Sequence, residues 1–507
     1  MPDHIGQVTF DKPGVLPSLR ESLALPAGPT LILVLGCIVA ATAAASHFWI
    51  ALVAIASIPA VLTGCWAFGA RPFCVWGLVF SSSLQLVHHF IYRPYIGASD
   101  GLTIELTDLW TLGLLFFCAS DHQKGIAKSV RGLRAFLVPI ALLLMADIFS
   151  FVNSGDMELS FWGLLTHIRV VALFTVLVVA MAQGIEEFQA ALVGIVSSVI
   201  GMGSICIFEM IFRSNIPRNA ALIADAGESD FRSGGISSPT LAAALLATLL
   251  PMVVVEYFYP VSRSRKMLAG LGICVGLAGI GCTLTRSAAG VLVFASIPLI
   301  VFLFRDQRIK ARHFVACGVV LACLGVSIGD RISERVDEGA DNLLARAGLL
   351  GTAVNMASNS PLFGEGINNY DLKMDGFIPH DQRQKFEYVV HNKFFLTLAE
   401  TGIVGLAALV WVLSVAVRRA ASLAHRGLPV GVGLLCSMIV LVFEMNVESY
   451  DSGMNLLFAF VLMAIAAVVS SHEIGKAQQD PGLPNRKAGR KAEAGIPFEP
   501  VVLTWKK

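Results

Sequence analysis

Long, nearly unbroken apolar runs constrain this chain more than any other feature. Leu31 to Ala45 and Phe136 to Val152 are two of them, each approaching the roughly 20 residues that carry a helix across a hydrocarbon core. Of the 507 residues 55% are hydrophobic and 14% charged, too much apolar surface for a soluble fold to hide. The expected fold is therefore an all-α polytopic membrane protein. About 12–14 transmembrane helices are expected, with a long extracytoplasmic loop containing amphipathic helices. The spans read near residues 29–46, 49–68, 73–92, 106–120, 135–154, 161–182, 188–212, 240–259, 267–285, 287–304, 313–329, 394–417, 428–449 and 453–471.

The ten cysteines all fall in apolar stretches without a CxxC pair, so they read as small core residues, and neither a metal site nor a disulfide framework is implied. The first ~25 residues lack an apolar core of the signal-peptide type, which leaves insertion to the first span. Nucleic-acid binding finds no support.

Lys and Arg set the expected orientation. Lys124, Lys128, Arg131 and Arg134 fall on one set of alternate loops, as do Arg263, Arg265 and Lys266, then Arg305, Arg308, Lys310 and Arg312, then Arg418, Arg419 and Arg426. These loops are expected in the cytoplasm of a bacterium, with both termini on the same side and the protein multi-pass in the inner membrane. The organisation that follows is a cytoplasmic segment 1–28, transmembrane helices over 29–329, an extracytoplasmic loop 330–393, C-terminal spans over 394–471 and a disordered cytoplasmic tail 472–507. Trp49, Trp66, Trp76 and Trp162 lie near span ends, as an interfacial aromatic belt requires.

Two outward segments, 213–239 and 330–392, are too long for simple connectors, and function is expected there. In the second, Leu343, Ala347, Leu350 and Val354 recur at helical spacing, and Asn359-Ser-Pro-Leu-Phe-Gly-Glu-Gly366 then breaks the helix. The outer side gathers Arg213, Arg218, Arg232, Arg286 and Arg346. Guanidinium groups present a planar fork that suits phosphate, although Arg213 and Arg218, just past a span end, equally suit headgroups. His391 opens a helix where the long loop re-enters the membrane. It reads either as a structural residue or as a base for a sugar hydroxyl. Asp147 and Arg169, at similar depth in successive spans, are expected to pair, and Glu209, Glu400, Glu444 and Glu448 fall toward the outer side.

Four stretches, taken together, resemble the O-antigen ligase and O-antigen polymerase (Wzy-type) family. They are Phe231-Arg-Ser-Gly-Gly-Ile-Ser-Ser-Pro-Thr-Leu-Ala242, with Ser238 where the family commonly has Asn; Thr283-Leu-Thr-Arg-Ser-Ala-Ala-Gly290, with Arg before Ser; Arg346 followed by Thr352 to Tyr370, which contains Pro-Leu-x-Gly-x-Gly; and His391-Asn-x-Phe-x-Leu-x-x-x-Glu-x-Gly-x-x-Gly405. The resemblance covers about 230–470.

It implies a membrane glycosyltransferase that uses an undecaprenyl-pyrophosphate-linked glycan donor, without cofactor or metal, and inverts the anomeric carbon. His391 would be the catalytic base, Arg232, Arg286 and Arg346 would bind pyrophosphate, and Asn392 and Glu400 would support them. Polymerisation of repeat units is the expected activity, with ligation to lipid A-core or a protein as the alternative acceptor chemistry. Membrane lipid, chain-length regulators and flippases are the further expected partners. A transporter or lipid-glycan flippase is the rival class, and it would show paired broken helices in two matching halves.

Overall fold

The computed structural model describes residues 64, 69–84, 87–89, 103–120, 126–212, 238–309, 339–378, 389–447 and 457–479. The expected spans 29–46, 49–68 (residue 64 apart) and 313–329 lie outside them, as do Arg213, Arg218, Arg232 and Glu448. Fourteen α-helices are described: α1 (Ala70–Leu84), α2 (Leu106–Ser120), α3 (Ile126–Ser150), α4 (Met157–Gln183), α5 (Ile185–Phe212), α6 (Pro239–Phe258), α7 (Arg263–Thr283), α8 (Arg286–Ala295), α9 (Ile297–Arg305), α10 (Gly339–Asn359), α11 (Tyr370–Met374), α12 (Lys393–His425), α13 (Pro429–Glu444) and α14 (Leu457–Gln479). The fold is all-α and polytopic, with one small addition: β1 (Val87–His89) pairs antiparallel with β2 (Thr103–Glu105). Among the described residues seven helical stretches are long and apolar enough to cross a membrane, including Arg286–Arg305, which runs through α8 and α9.

Local chemistry sets the helix starts. Asp156 Oδ1 accepts from Glu158 N at 2.9 Å and Leu159 N at 3.2 Å to open α4, and Ser238 and Ser262 do the same for α6 and α7. Pro239 and Pro429 occupy first-turn positions, where a missing N–H costs nothing. The last helix runs to Gln479, beyond the expected start of the tail at 472.

The helices pack antiparallel around one large apolar core. Where α13 meets α6, Gly433 near the start of α13 lies against Met252 and Val255 near the end of α6, so the end of α13 comes to the start of α6. One end of the bundle is cationic. There Arg419 donates to Gly132 O at 2.8 Å and lies over the Phe136 ring, Arg265 pairs with Glu256 at 2.7 Å, and Arg308 lies over Tyr259. Arg265, Arg308 and Arg419, from three of the alternate cationic loops of the sequence, therefore share one end. Large apolar side chains such as Phe116, Phe294 and Phe304 stand exposed on the flanks, as lipid-facing residues would.

Two sequence expectations are corrected. Asp147 does not pair with Arg169: its Oδ2 lies 2.8 Å from His167 Nδ1, while Arg169 grips Glu105 Oε1 and Asp108 Oδ2, each at 2.8 Å. Two residues apart on a helix means about 200° around its axis, so only one of His167 and Arg169 can face Asp147. The amphipathic helix α10 forms, but its buried stripe is Leu349, Ala353 and Met356, whereas Ala347 and Val354 are exposed. The stripe follows what the helix packs on, which is α12 and the segment before it.

Candidate active site

The helix that begins after His391 is broken. At Gly402 the backbone of α12 takes φ 69 and ψ −167, which divides it into a half-helix Lys393–Thr401 and a longer helix from Ile403. A break releases backbone donors and acceptors that need partners away from water. The segment Pro361–Gly366 supplies them. Glu365 N donates to Ala399 O at 2.8 Å and Gly366 N to Glu400 O at 3.0 Å, while Ile403 N donates to Pro361 O at 2.9 Å and Val404 N to Leu362 O at 3.4 Å. Such backbone contact requires glycine on both sides. A Cβ on Gly402 would lie 2.3 Å from the Leu362 carbonyl carbon, and one on Gly364 (φ 66) 2.3 Å from that of Glu400.

The same segment is anchored to the turn between α3 and α4. Ile367 N donates to Ser150 Oγ and Ser160 Oγ to Ile367 O, both at 2.9 Å. Asn369 accepts from Asp156 N and donates to Ser160 Oγ, both at 2.8 Å, and Asn153 donates to Gly364 O at 2.9 Å. Lys373 reaches the Asn153 carbonyl and pairs with Glu365 at 2.6 Å. Burial pushes the Glu365 carboxyl up, but donors from Lys373, Asn359 and Ser360 outweigh it and leave it below its ordinary value. Asp371 goes the other way: burial first and Asp375 second push it up to about 6.

His391, Asn392 and Glu400 therefore belong to one rigid piece. Asn392 Oδ1 caps the half-helix through Phe394 N at 3.0 Å and Phe395 N at 3.2 Å, and Lys393 N donates to Met445 O at 2.8 Å, which hangs the half-helix from the end of α13. Glu400, 8% exposed, accepts from Tyr370 N at 3.3 Å. His391 is half-buried beside Val390. Arg346 is exposed on α10, one turn before Leu349, in the apolar cluster that also holds Val390 and Leu396.

Arg286 is exposed at the first position of α8. Thr285 Oγ1 donates to Pro239 O at 3.4 Å, so the Arg286 turn abuts the start of α6, seven residues after Arg232 in sequence. Since α13 ends at the α6 start, Arg286 and His391 share the end of the bundle opposite the cations. Among the described residues no group of three or more His, Cys, Asp or Glu is arranged to hold a metal ion.

Sequence reasoning missed the anchoring residues Ser150, Ser160, Asn369 and Lys373. Their only signal is polarity in an otherwise apolar neighbourhood. It also missed Lys393 and Thr397, which join Asp147, His167, Glu400 and Thr401 in lining a narrow cavity of ≈ 40 Å³ between α3, α4, α12 and α14.

Residues 273–410 match the family model described as O-antigen ligase. The match runs from within α7 to within α12 and takes in Arg286, Arg346, the 361–370 segment and the His391 half-helix. Among curated proteins nothing matches the chain.

Proposed function

We propose that the chain, whose residues 273–410 match the O-antigen ligase model, is a membrane enzyme of polysaccharide assembly that transfers undecaprenyl-pyrophosphate-linked oligosaccharide units to a growing glycan on the outer face of the inner membrane. The observation that carries this reading is the broken helix. An expensive interruption, sewn shut by a distant segment, holds His391 at the end of the bundle that also presents Arg286 and Arg346. By the asymmetry of Lys and Arg, the cationic end faces the cytoplasm, with both termini there.

In this mechanism the acceptor hydroxyl oxygen attacks the anomeric carbon, and its proton passes to His391 as the new C–O bond forms. The bond to the pyrophosphate oxygen breaks and that oxygen keeps the electron pair. Arg286 and Arg232 stabilise the growing charge with fixed donors, and Arg346 adds a third guanidinium. Attack opposite the leaving group inverts the configuration. Holding the base on a rigid half-helix, with Arg286 at the start of α8 on the same end of the bundle, supplies the orientation the attack needs.

The test uses purified protein in lipid nanodiscs with a lipid-pyrophosphate-linked saccharide. His391→Ala should keep donor binding while transfer falls by the ~10²- to 10⁴-fold typical of a lost base, and Arg286→Ala should weaken both. Added EDTA should leave transfer unchanged. Normal product from His391→Ala would remove the base from the mechanism. A ligase reading is favoured by the description of the matched model, and offering lipid A-core in place of glycan acceptor separates the two.

A further inference from the structure

The half-helix after His391 turns a polar face inward. Lys393, Thr397, Glu400 and Thr401 recur at helical spacing along it, and all line the cavity opposite Asp147 and His167. The rest of the wall is apolar, including Leu143, Val170, Leu409 and Phe460. Asp147 is fully buried. One of its oxygens meets His167 at 2.8 Å, and the other, Oδ1, has no hydrogen-bond partner among the described residues. A buried carboxylate oxygen facing a cavity without a donor points to something that binds there.

Charge identifies what binds. Among the cavity walls α3 contributes Asp147, α4 contributes His167, and α12 contributes Lys393 and Glu400. Arg169 is turned away to Glu105 and Asp108, and Glu365 is turned to Lys373. From the 361–370 segment only Ile367 reaches the wall, from the end of α13 only Met445, the neighbour of buried Glu444, and α14 adds Ala459, Phe460 and Met463 without an ionisable group. With His167 neutral, two carboxylates face one ammonium among the described residues, a net negative charge inside the bundle that is costly in so apolar a setting. One more positive charge removes it, and a cavity this small suits a proton with its water.

We infer that this cavity is a proton-binding site, with one proton shared among Asp147, His167 and Glu400, and that the neutral cluster seats the half-helix bearing His391. Asp147 and His167 are then positioning residues for transfer. They act through the half-helix and touch neither substrate nor the reacting atoms. Loss of the proton leaves Asp147 and Glu400 repelling across the cavity and loosens the half-helix from α3 and α4. The catalytic part of this inference rests on the proposed transfer reaction; the proton-binding part does not.

Two measurements on the full chain in nanodiscs test it: amide exchange protection of residues 393–401 against pH, and transfer rate against pH. Wild type should lose at least tenfold in protection and in kcat as pH rises and the cluster loses its proton, with little change in KM for donor. Asp147→Asn is neutral without a proton, so its protection and its alkaline kcat should stay level. His167→Gln removes one of the places the proton can sit and should lower both tenfold or more at neutral and alkaline pH, whereas Asp147→Asn with His167→Gln, neutral without a proton, should recover most of the loss. Should Asp147→Asn fail to fold, Glu400→Gln removes the other charge and must give the same level exchange profile. Alkaline profiles of wild type and Asp147→Asn that superpose, or a double variant no better than His167→Gln, overturn the inference. Wild type that transfers nothing sinks the proposed reaction, while the exchange profiles still decide the proton site.

Discussion

Two apolar spans among the described residues, Arg286–Arg305 and Lys393–His425, are interrupted differently. Between α8 and α9 the break at Ser296 is mild. Ser296 keeps α-region dihedrals (φ −80, ψ −11), its N–H still reaches Leu292 O at 3.0 Å, and its carbonyl receives Ile300 N at 2.9 Å, so Pro298 bends the path without dismantling it. The break at Gly402 leaves helical geometry altogether and passes its backbone groups to residues some forty positions earlier. A bend toward lipid needs no partner. A break that is stitched from outside builds a site, because every stitch fixes a second chain segment.

The largest expected effect is at Gly402. Its φ/ψ is closed to other residues, and the Cβ of Gly402→Ala would collide with backbone, which cannot yield as a side-chain tip can. The variant should lose more than about 3 kcal/mol and all transfer, read as thermal unfolding in detergent; a fully stable Gly402→Ala protein would show that the break is not imposed. Next is Asn369→Ala, which strips the donor from Ser160 and the acceptor from Asp156 N in a buried setting. About 1–3 kcal/mol is expected, with earlier proteolysis of the 361–370 segment.

Asp371, on the docking segment, gives a smaller and pH-dependent effect. Its value is raised to about 6, so its favourable contribution is complete below the ordinary carboxylate value of 3.8 and lost as pH rises through 6. Asp371→Asn should therefore stabilise at pH 7, by about 1 kcal/mol after discounting for solvent screening. The gain should vanish by pH 4, which thermal scans at the two pH values would check. The smallest effect belongs to the other break: Pro298→Ala should shift stability by under about 1 kcal/mol and leave transfer intact. A large loss there would dissolve the distinction between bend and stitched break.

What the sequence discloses follows from where each signal lives. Spans are legible because burial in hydrocarbon demands length and apolarity: the stretch expected at 106–120 is the helix Leu106–Ser120, and 188–212 lies within Ile185–Phe212. Boundaries overrun by a few residues where capped polar turns extend a helix, as Asp156 does for α4. Partner choice is not legible at this level. Asp147 and Arg169 match in depth, yet depth says nothing of azimuth, and azimuth gives Asp147 to His167. In α10 the sequence offers two stripes, and the one containing Ala353 and Met356 wins because it must lie close against Leu396, Ala399 and Tyr370. For the site, Asn392 before an apolar helix reads directly as a cap. The glycines of Pro-Leu-Phe-Gly-Glu-Gly read as a break, but no local pattern tells that their neighbours complete a helix beyond residue 390.

The anchoring of the 361–370 segment also sets a timetable. Its hydrogen bonds to Ser150, Asn153, Asp156 and Ser160 join residues more than 200 positions apart. The α3–α4 turn leaves the ribosome first and waits, exposed, while α5 through α10 are made and inserted. Only when Glu365 and Gly366 have been made, and α12 follows, can the break at Gly402 close. His391 is thus among the later parts of the described structure to reach its folded position, and a nascent chain halted anywhere before α12 lacks both the stitched break and the share of the core that α12, α13 and α14 supply.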